Sequence, residues 1–206
     1  MNIIKRILRK IKESIRPTYP YINRSAFVFP DVVVYNPNYL IMEENTKIDR
    51  GSIIMNTNAK FIVKKHSGCA VNLTVITGNH PQIPGRFYRT ISKKKEGLDI
   101  SQYDKDVIIE EDVWIGSNVT LLSGVTIGRG AIVGAGSVVR SSLPPYCIVV
   151  GNPAKIIGFK FTPEDIIEHE KQLFAKEERL PIEILQKNYE KYFLNKMKEI
   201  KQYLKL

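Results

Sequence analysis

The sequence predicts a mainly β chain whose short strands coil into a narrow triangular parallel helix, broken by one long loop and followed by a helical tail. Three observations carry this: a six-residue repeat, a polar interruption after residue 80, and a change of pattern after residue 161. From 109 to 144 the blocks read IEEDVW, IGSNVT, LLSGVT, IGRGAI, VGAGSV and VRSSLP. Ile109, Ile115, Leu121, Ile127, Val133 and Val139 thus fall in one phase, with Gly116, Gly128 and Gly134 directly after three of them. A period of six is neither the 3.6 of an α-helix nor the 2.0 of a simple strand. A short strand closed by a turn every six residues satisfies it: the aliphatic side chain points into the coil, and small or polar residues make the corners. A second run, Met42, Ile48 and Ile54, continues as Val63, Cys69 and Val75 after a slip, so the repeats begin near residue 30.

The expected organisation is a lead-in over 1–29, a repeat domain over 30–161 with an excursion loop at 81–106, and a helical extension over 162–206. In the lead-in, Ile3, Ile4, Ile7, Leu8, Ile11 and Ile15 form one helical face opposite Lys5, Arg6, Arg9, Lys10 and Lys12. Such a helix either hides the open end of the coil or lies on an anionic membrane surface. The loop from Pro81 to Asp106 is polar, basic and too long for a casual connection. In the tail, Thr162 caps a helix that has Pro163 at its first position, and Pro181 separates a second helix.

A chain of 206 residues is one domain of ordinary size, and no apolar run in it is long enough to cross a bilayer. Lys+Arg 31 against Asp+Glu 21 gives a net charge of +10, which suits anionic partners. Aromatic and basic residues do not interleave, so nucleic acid is the least favoured of these. Cys69 and Cys147 sit in apolar runs without CxxC spacing and read as small buried hydrophobes in a reducing compartment. The first residues lack the apolar core and cleavage site of a signal peptide. The expectation is therefore a cytoplasmic protein, with membrane-surface contact through residues 2–16 as an option.

Chemistry has few candidates. His80, in VITGNHPQ, stands where the repeats give way to the loop. An imidazole titrating near neutrality can take a proton from a hydroxyl and return it to a thiolate. His66 falls at a coil corner and His169 in the helical tail, and both read as surface residues. No HxxxH or Cys/His cluster offers a metal site, and no GxSxG, Walker A or strand-linked GxGxxG motif is present. The glycines of GRGAIVGAG fall on the six-residue phase and are coil corners.

The run VWIGSNVTLLSGVTIGRGAIVGAGSVVRSSLPPYCIVVGNPAKII, with VITGNHP upstream, resembles the hexapeptide-repeat O-acetyltransferases over residues 30–160. That group includes galactoside, maltose, capsular-polysaccharide and xenobiotic acetyltransferases. The resemblance implies a left-handed parallel β-helix, a homotrimer with active sites between subunits, and acetyl-CoA as donor without a metal. It implies His80 as catalytic base, Trp114 beside the pantetheine arm, and Ser117 N–H at the thioester oxygen. It places Ala135 against CoA by its backbone, Arg140 and Ser141 at the nucleotide end, and Lys155 near the CoA phosphates.

Three departures matter, the first for the phosphate contacts and the other two for the acceptor. Arg140-Ser141 stands where the family usually has Thr-Lys, and neither Asn56 nor Asn58 matches the sugar-contacting asparagine and aspartate of the galactoside branch. Trp114 is the only tryptophan, so the paired tryptophans of the xenobiotic tail are missing. The expectation is acetyl transfer to a saccharide hydroxyl, as in bacterial surface-polysaccharide synthesis. A xenobiotic O-acetyltransferase, a γ-type carbonic anhydrase and a non-catalytic β-helix scaffold are the alternatives.

Overall fold

The computed structural model describes residues 19–205, so the basic helix expected over 2–16 lies outside the described residues. Among the described residues the repeats form three sheets. The first face holds Tyr21–Ile22, Leu40–Met42, Phe61–Val63, Val107–Ile109 and Thr126–Ile127. The second holds Phe27–Val28, Lys47–Ile48, Gly68–Cys69, Trp114–Ile115, Ile132–Val133 and Cys147–Val150 in parallel, with Lys155–Phe159 closing it antiparallel. The third holds Val33–Val34, Ile53–Met55, Thr74–Ile76, Thr120–Leu121 and Val138–Val139. Successive strands pass to the next face, so each strand pairs with the one a full turn away.

Register explains the six-residue phase. Met42, Val63, Ile109 and Ile127 stack on the first face. Ile48, Cys69, Ile115, Val133 and Val149 stack on the second, and Ile54, Val75, Leu121 and Val139 on the third. All of them are buried and belong to one continuous core. Burial raises the Cys69 and Cys147 thiols to about 12, so both are inert apolar fillers, as their sequence context implies.

Two corners are regular. Asn45, His66, Asp112, Gly130 and Tyr146 turn the chain from the first face to the second, all with φ between 51° and 68°. Gly51, Asn72, Asn118 and Gly136 do the same between the second and third faces. Asn, Asp and Gly tolerate this left-handed conformation best, which is why they recur at six-residue spacing. At Gly130 there is a second reason, since a Cβ would lie 2.4 Å from the Tyr146 ring.

The third corner is irregular. Nine positions separate Ile54 from Val63, which accounts for the slip in the repeat, and the whole excursion between Val75 and Ile109 leaves at the same corner.

The tail forms α1 (Pro163–Leu173), α2 (Ile182–Tyr192) and α3 (Met197–Leu204). Thr162 caps α1 by accepting from the Asp165 N–H, as expected. The sequence predicts two helices here. The third arises because Phe193 leaves the helical conformation to pack its ring near Tyr189 and Phe159. Docking of the tail runs through fully buried Glu170, which accepts from Arg129, Tyr146 Oη and the Leu180 N–H. Arg129 also donates to Glu111 at 3.1 Å and to the Glu178 carbonyl. A buried carboxylate needs such partners, because an unpaired one costs several kcal/mol.

Burial opposes ionisation of Glu111, but its backbone contact and Arg129 outweigh it and hold the carboxyl below its ordinary value. The stabilisation from this group is complete above pH 4.5 and is lost as pH falls through the depressed folded value. Thermal melts taken from pH 6 to pH 3 should show this acid-sensitive contribution, and Arg129→Met should flatten it. In the core, Ile127→Ala should cost about 2–5 kcal/mol by denaturant unfolding, since the stack cannot collapse around the cavity.

Candidate active site

The third corner builds the site. At the end of Thr74–Ile76, Thr77 is buried and its hydroxyl donates to the Met55 and Ala59 carbonyls. The chain then turns outward through Gly78 and Asn79 to His80. The loop closes on itself at this neck: the Asn79 N–H donates to the Tyr103 carbonyl and the Lys105 N–H to the Thr77 carbonyl. His80 is exposed, and its ring meets Tyr88 of the loop edge-on with centroids 5.9 Å apart. Beside it opens a groove of about 850 Å³ between loop and coil. Met55, Ile76, Ile91 and Ile100 give it apolar walls, and Asn58, Asn79 and His80 give it polar ones.

Asp104 underlies this groove. It is only 7% exposed and accepts from Asn58 Nδ2 at 3.0 Å, the Asn79 N–H at 3.2 Å and Lys93 Nζ at 2.5 and 2.6 Å. Gly78 is glycine because a Cβ there would fall 2.5 Å from Asp104 Oδ1. Asn56, by contrast, is scaffold: fully buried, it exchanges hydrogen bonds with the backbone of Asn36.

The other candidates fall into three places. Arg140, Ser141 and Lys155 line one pocket of about 260 Å³ at the end of the coil, and the Lys155 ammonium rests 4.8 Å from the Tyr203 ring. Ser117 and Ala135 share the corner between the second and third faces. There the Gly136 N–H donates to the Ser117 carbonyl, and a Cβ on Gly116 would press to 2.7 Å from the Ala135 nitrogen. Trp114 stands on the second face, 53% exposed, over a shallow pocket of about 270 Å³ that also touches Lys47, His66 and Lys160. Within one chain, then, Arg140, Ser141 and Lys155 gather, while Trp114, Ser117 and Ala135 lie on a different corner and face from His80.

His66 is a corner residue, its Nδ1 3.4 Å from Asn45. His169 differs from its expectation as a plain surface residue. It is half-buried against Tyr146 and Phe161 with Nε2 3.9 Å from Asp112, because α1 folds back over the last coil. Among the described residues no three His, Cys, Asp or Glu side chains converge as metal ligands. The sequence does not single out Asp104, Lys93 and Tyr88, since a non-repeating loop has no period to mark them, and it weighs Asn58 only as a sugar contact. Gly78→Ala should destabilise the neck by about 1–3 kcal/mol in denaturant titration through the Asp104 clash.

Residues 106–141 match the family described as bacterial transferase hexapeptide, six repeats. The hexapeptide-repeat-containing acetyltransferase VCA0836 from Vibrio cholerae is 26% identical, with 72% of this chain and 76% of that one covered and a TM-score of 0.54. A maltose O-acetyltransferase from Clostridium difficile 630 is 23% identical over 73% of this chain and 83% of that one, with a TM-score of 0.54. AntD, an N-acyltransferase from Bacillus cereus in complex with dTDP and 3-hydroxybutyryl-CoA, is 20% identical over 82% and 93%, with a TM-score of 0.56. No curated protein sequence matches the chain. The repeats and these likenesses bear out the resemblance to hexapeptide-repeat acetyltransferases, and the three parallel sheets are those of the left-handed β-helix it implies.

Proposed function

We propose that the chain is an acetyl-CoA-dependent O-acetyltransferase in which His80 is the general base and a saccharide hydroxyl the acceptor. The observation that carries this is an exposed imidazole at a braced loop neck, opening on a groove of about 850 Å³ with mixed polar and apolar walls. Such walls suit a sugar, whose ring faces are apolar and whose edges are hydroxyls. VCA0836 has been crystallised with acetyl-CoA, which supports the donor.

In the reaction, His80 accepts the proton of the acceptor hydroxyl as its oxygen attacks the thioester carbonyl. The Ser117 N–H steadies the oxyanion, the C–S bond breaks, and His80 passes its proton to the CoA thiolate. The products are the acetyl ester and CoA, and the step calls on no metal and no acyl-enzyme. Trp114 flanks the pantetheine arm, the Ala135 backbone lies along it, and Arg140, Ser141 and Lys155 hold the nucleotide end. A homotrimer with sites between subunits reconciles this with the separation of these groups in one chain. The His80 corner of one subunit then works with the Ser117–Ala135 corner of the next. No helix among the described residues is long and apolar enough to cross a membrane. A cytoplasmic reaction in surface-polysaccharide synthesis fits the donor, with residues 2–16 touching the membrane surface.

Turnover is measured by thiol release from acetyl-CoA with methyl glycosides of glucose, galactose, mannose and N-acetylglucosamine. A drug hydroxyl serves as the xenobiotic comparison. His80→Ala should lower turnover roughly 10²–10⁴-fold, and unchanged turnover in a folded variant would remove His80 from the reaction. Arg140→Met and Lys155→Met should weaken CoA in calorimetry more than they weaken dephospho-CoA. Absence of CoA binding by the parent chain would favour a scaffold instead.

A further inference from the structure

We propose that Asp104 is a positioning residue with two arms, one fixing the His80 backbone and the other holding the loop as the wall of the acceptor groove. This rests on His80 being the base.

The first arm is the bond from the Asn79 N–H, one residue before His80, which Asp104 shares at 3.2 Å with the Tyr103 carbonyl at 3.0 Å and which Asn58 Nδ2 supports from the coil below. The second is the paired contact from Lys93, halfway round the loop. One carboxylate thus ties together the preceding coil, the neck and the loop. Tyr88, which touches the His80 ring, lies on the segment the second arm draws in. Lys94, next to the latch, lines the groove with Ile91.

Physical chemistry favours a positional role over a purely stabilising one. The Lys93 and Asp104 side chains are 17% and 2% exposed, and desolvating such a pair consumes most of its Coulombic gain. What the pair does supply is direction, since three donors converge on one carboxylate in the space that the missing Cβ of Gly78 leaves for it. General-base catalysis is sensitive to such placement, and a misplacement of about 1 Å can cost roughly 10²-fold.

The test separates the two arms in the full-length protein. Asp104→Ala removes both. Asp104→Asn keeps an oxygen for the Asn79 N–H but loses the charge that holds Lys93. Lys93→Met releases the loop alone. Hydrogen exchange of the peptide containing Asn79 should quicken in Asp104→Ala and stay near the parent rate in Lys93→Met. Tryptic cleavage at Lys94 and Lys95 should quicken about tenfold or more in all three, as local opening governs the rate. With the fastest methyl glycoside, Asp104→Ala should lower kcat by about 10²-fold, and Asp104→Asn should recover most of it. Lys93→Met should raise the glycoside KM more than it lowers kcat, with the KM for acetyl-CoA held.

Folded Asp104→Ala with parental exchange, cleavage and kcat would overturn the proposal. So would equal losses in kcat and both KM values that track only the melting temperature. Full turnover by His80→Ala would instead strike the base assignment, while the exchange and cleavage rates still read the latch without any acceptor.

Discussion

Everything in this molecule depends on the register of its parallel stacks. Each buried aliphatic side chain sits on its counterpart a full turn away, as Ile48, Cys69, Ile115, Val133 and Val149 do on the second face. A one-residue slip would turn an entire column outward. Two corners are therefore held to fixed lengths by left-handed Asn, His, Asp, Gly and Tyr residues. Additions are confined to the third corner, and there they accumulate: short ones after Val34 and Met55, then the long loop after Ile76. The candidate site is what that confinement builds. His80 is the residue at which the stack lets the chain leave, and Asp104 is where it is brought back.

The same logic governs the end of the coil. A stack must finish somewhere, and its last turn exposes an apolar edge. Here Lys155–Phe159 folds back antiparallel, and α1 and α2 pack Ile166 and Leu185 over it against Tyr146, Phe159 and Phe161. Glu170 and Arg129 supply the polar anchor for that cover, joined to Glu111 on the coil itself. Tyr146, the last corner residue, is at once a turn, a core side chain and a donor to Glu170. The tail also delivers Tyr203 to Lys155, so the covering structure reaches the pocket proposed for the nucleotide end.

The sequence showed the coil because period and burial coincide: every residue of the six-residue phase is in the core. It showed His80 because the period breaks there. It could not show that Trp114, Ser117 and Ala135 stand on another corner and face from His80, since the loop between them interrupts the count of faces. Asp104 and Lys93 were illegible for a different reason. They lie eleven residues apart in a loop without repeat, and only folding shows that the neck, the coil and the loop meet at one carboxylate. His169 was misread because nothing in a helical tail announces which face returns to cover the coil.

The most direct measurement of the central claim is a crystal structure of the full chain with CoA bound. It should show a three-fold assembly with the nucleotide at Arg140, Ser141 and Lys155. The thiol should lie within hydrogen-bond reach of His80, directly or through one water. CoA bound away from His80, or a chain whose His80 corner faces only solvent when CoA is in place, would contradict it.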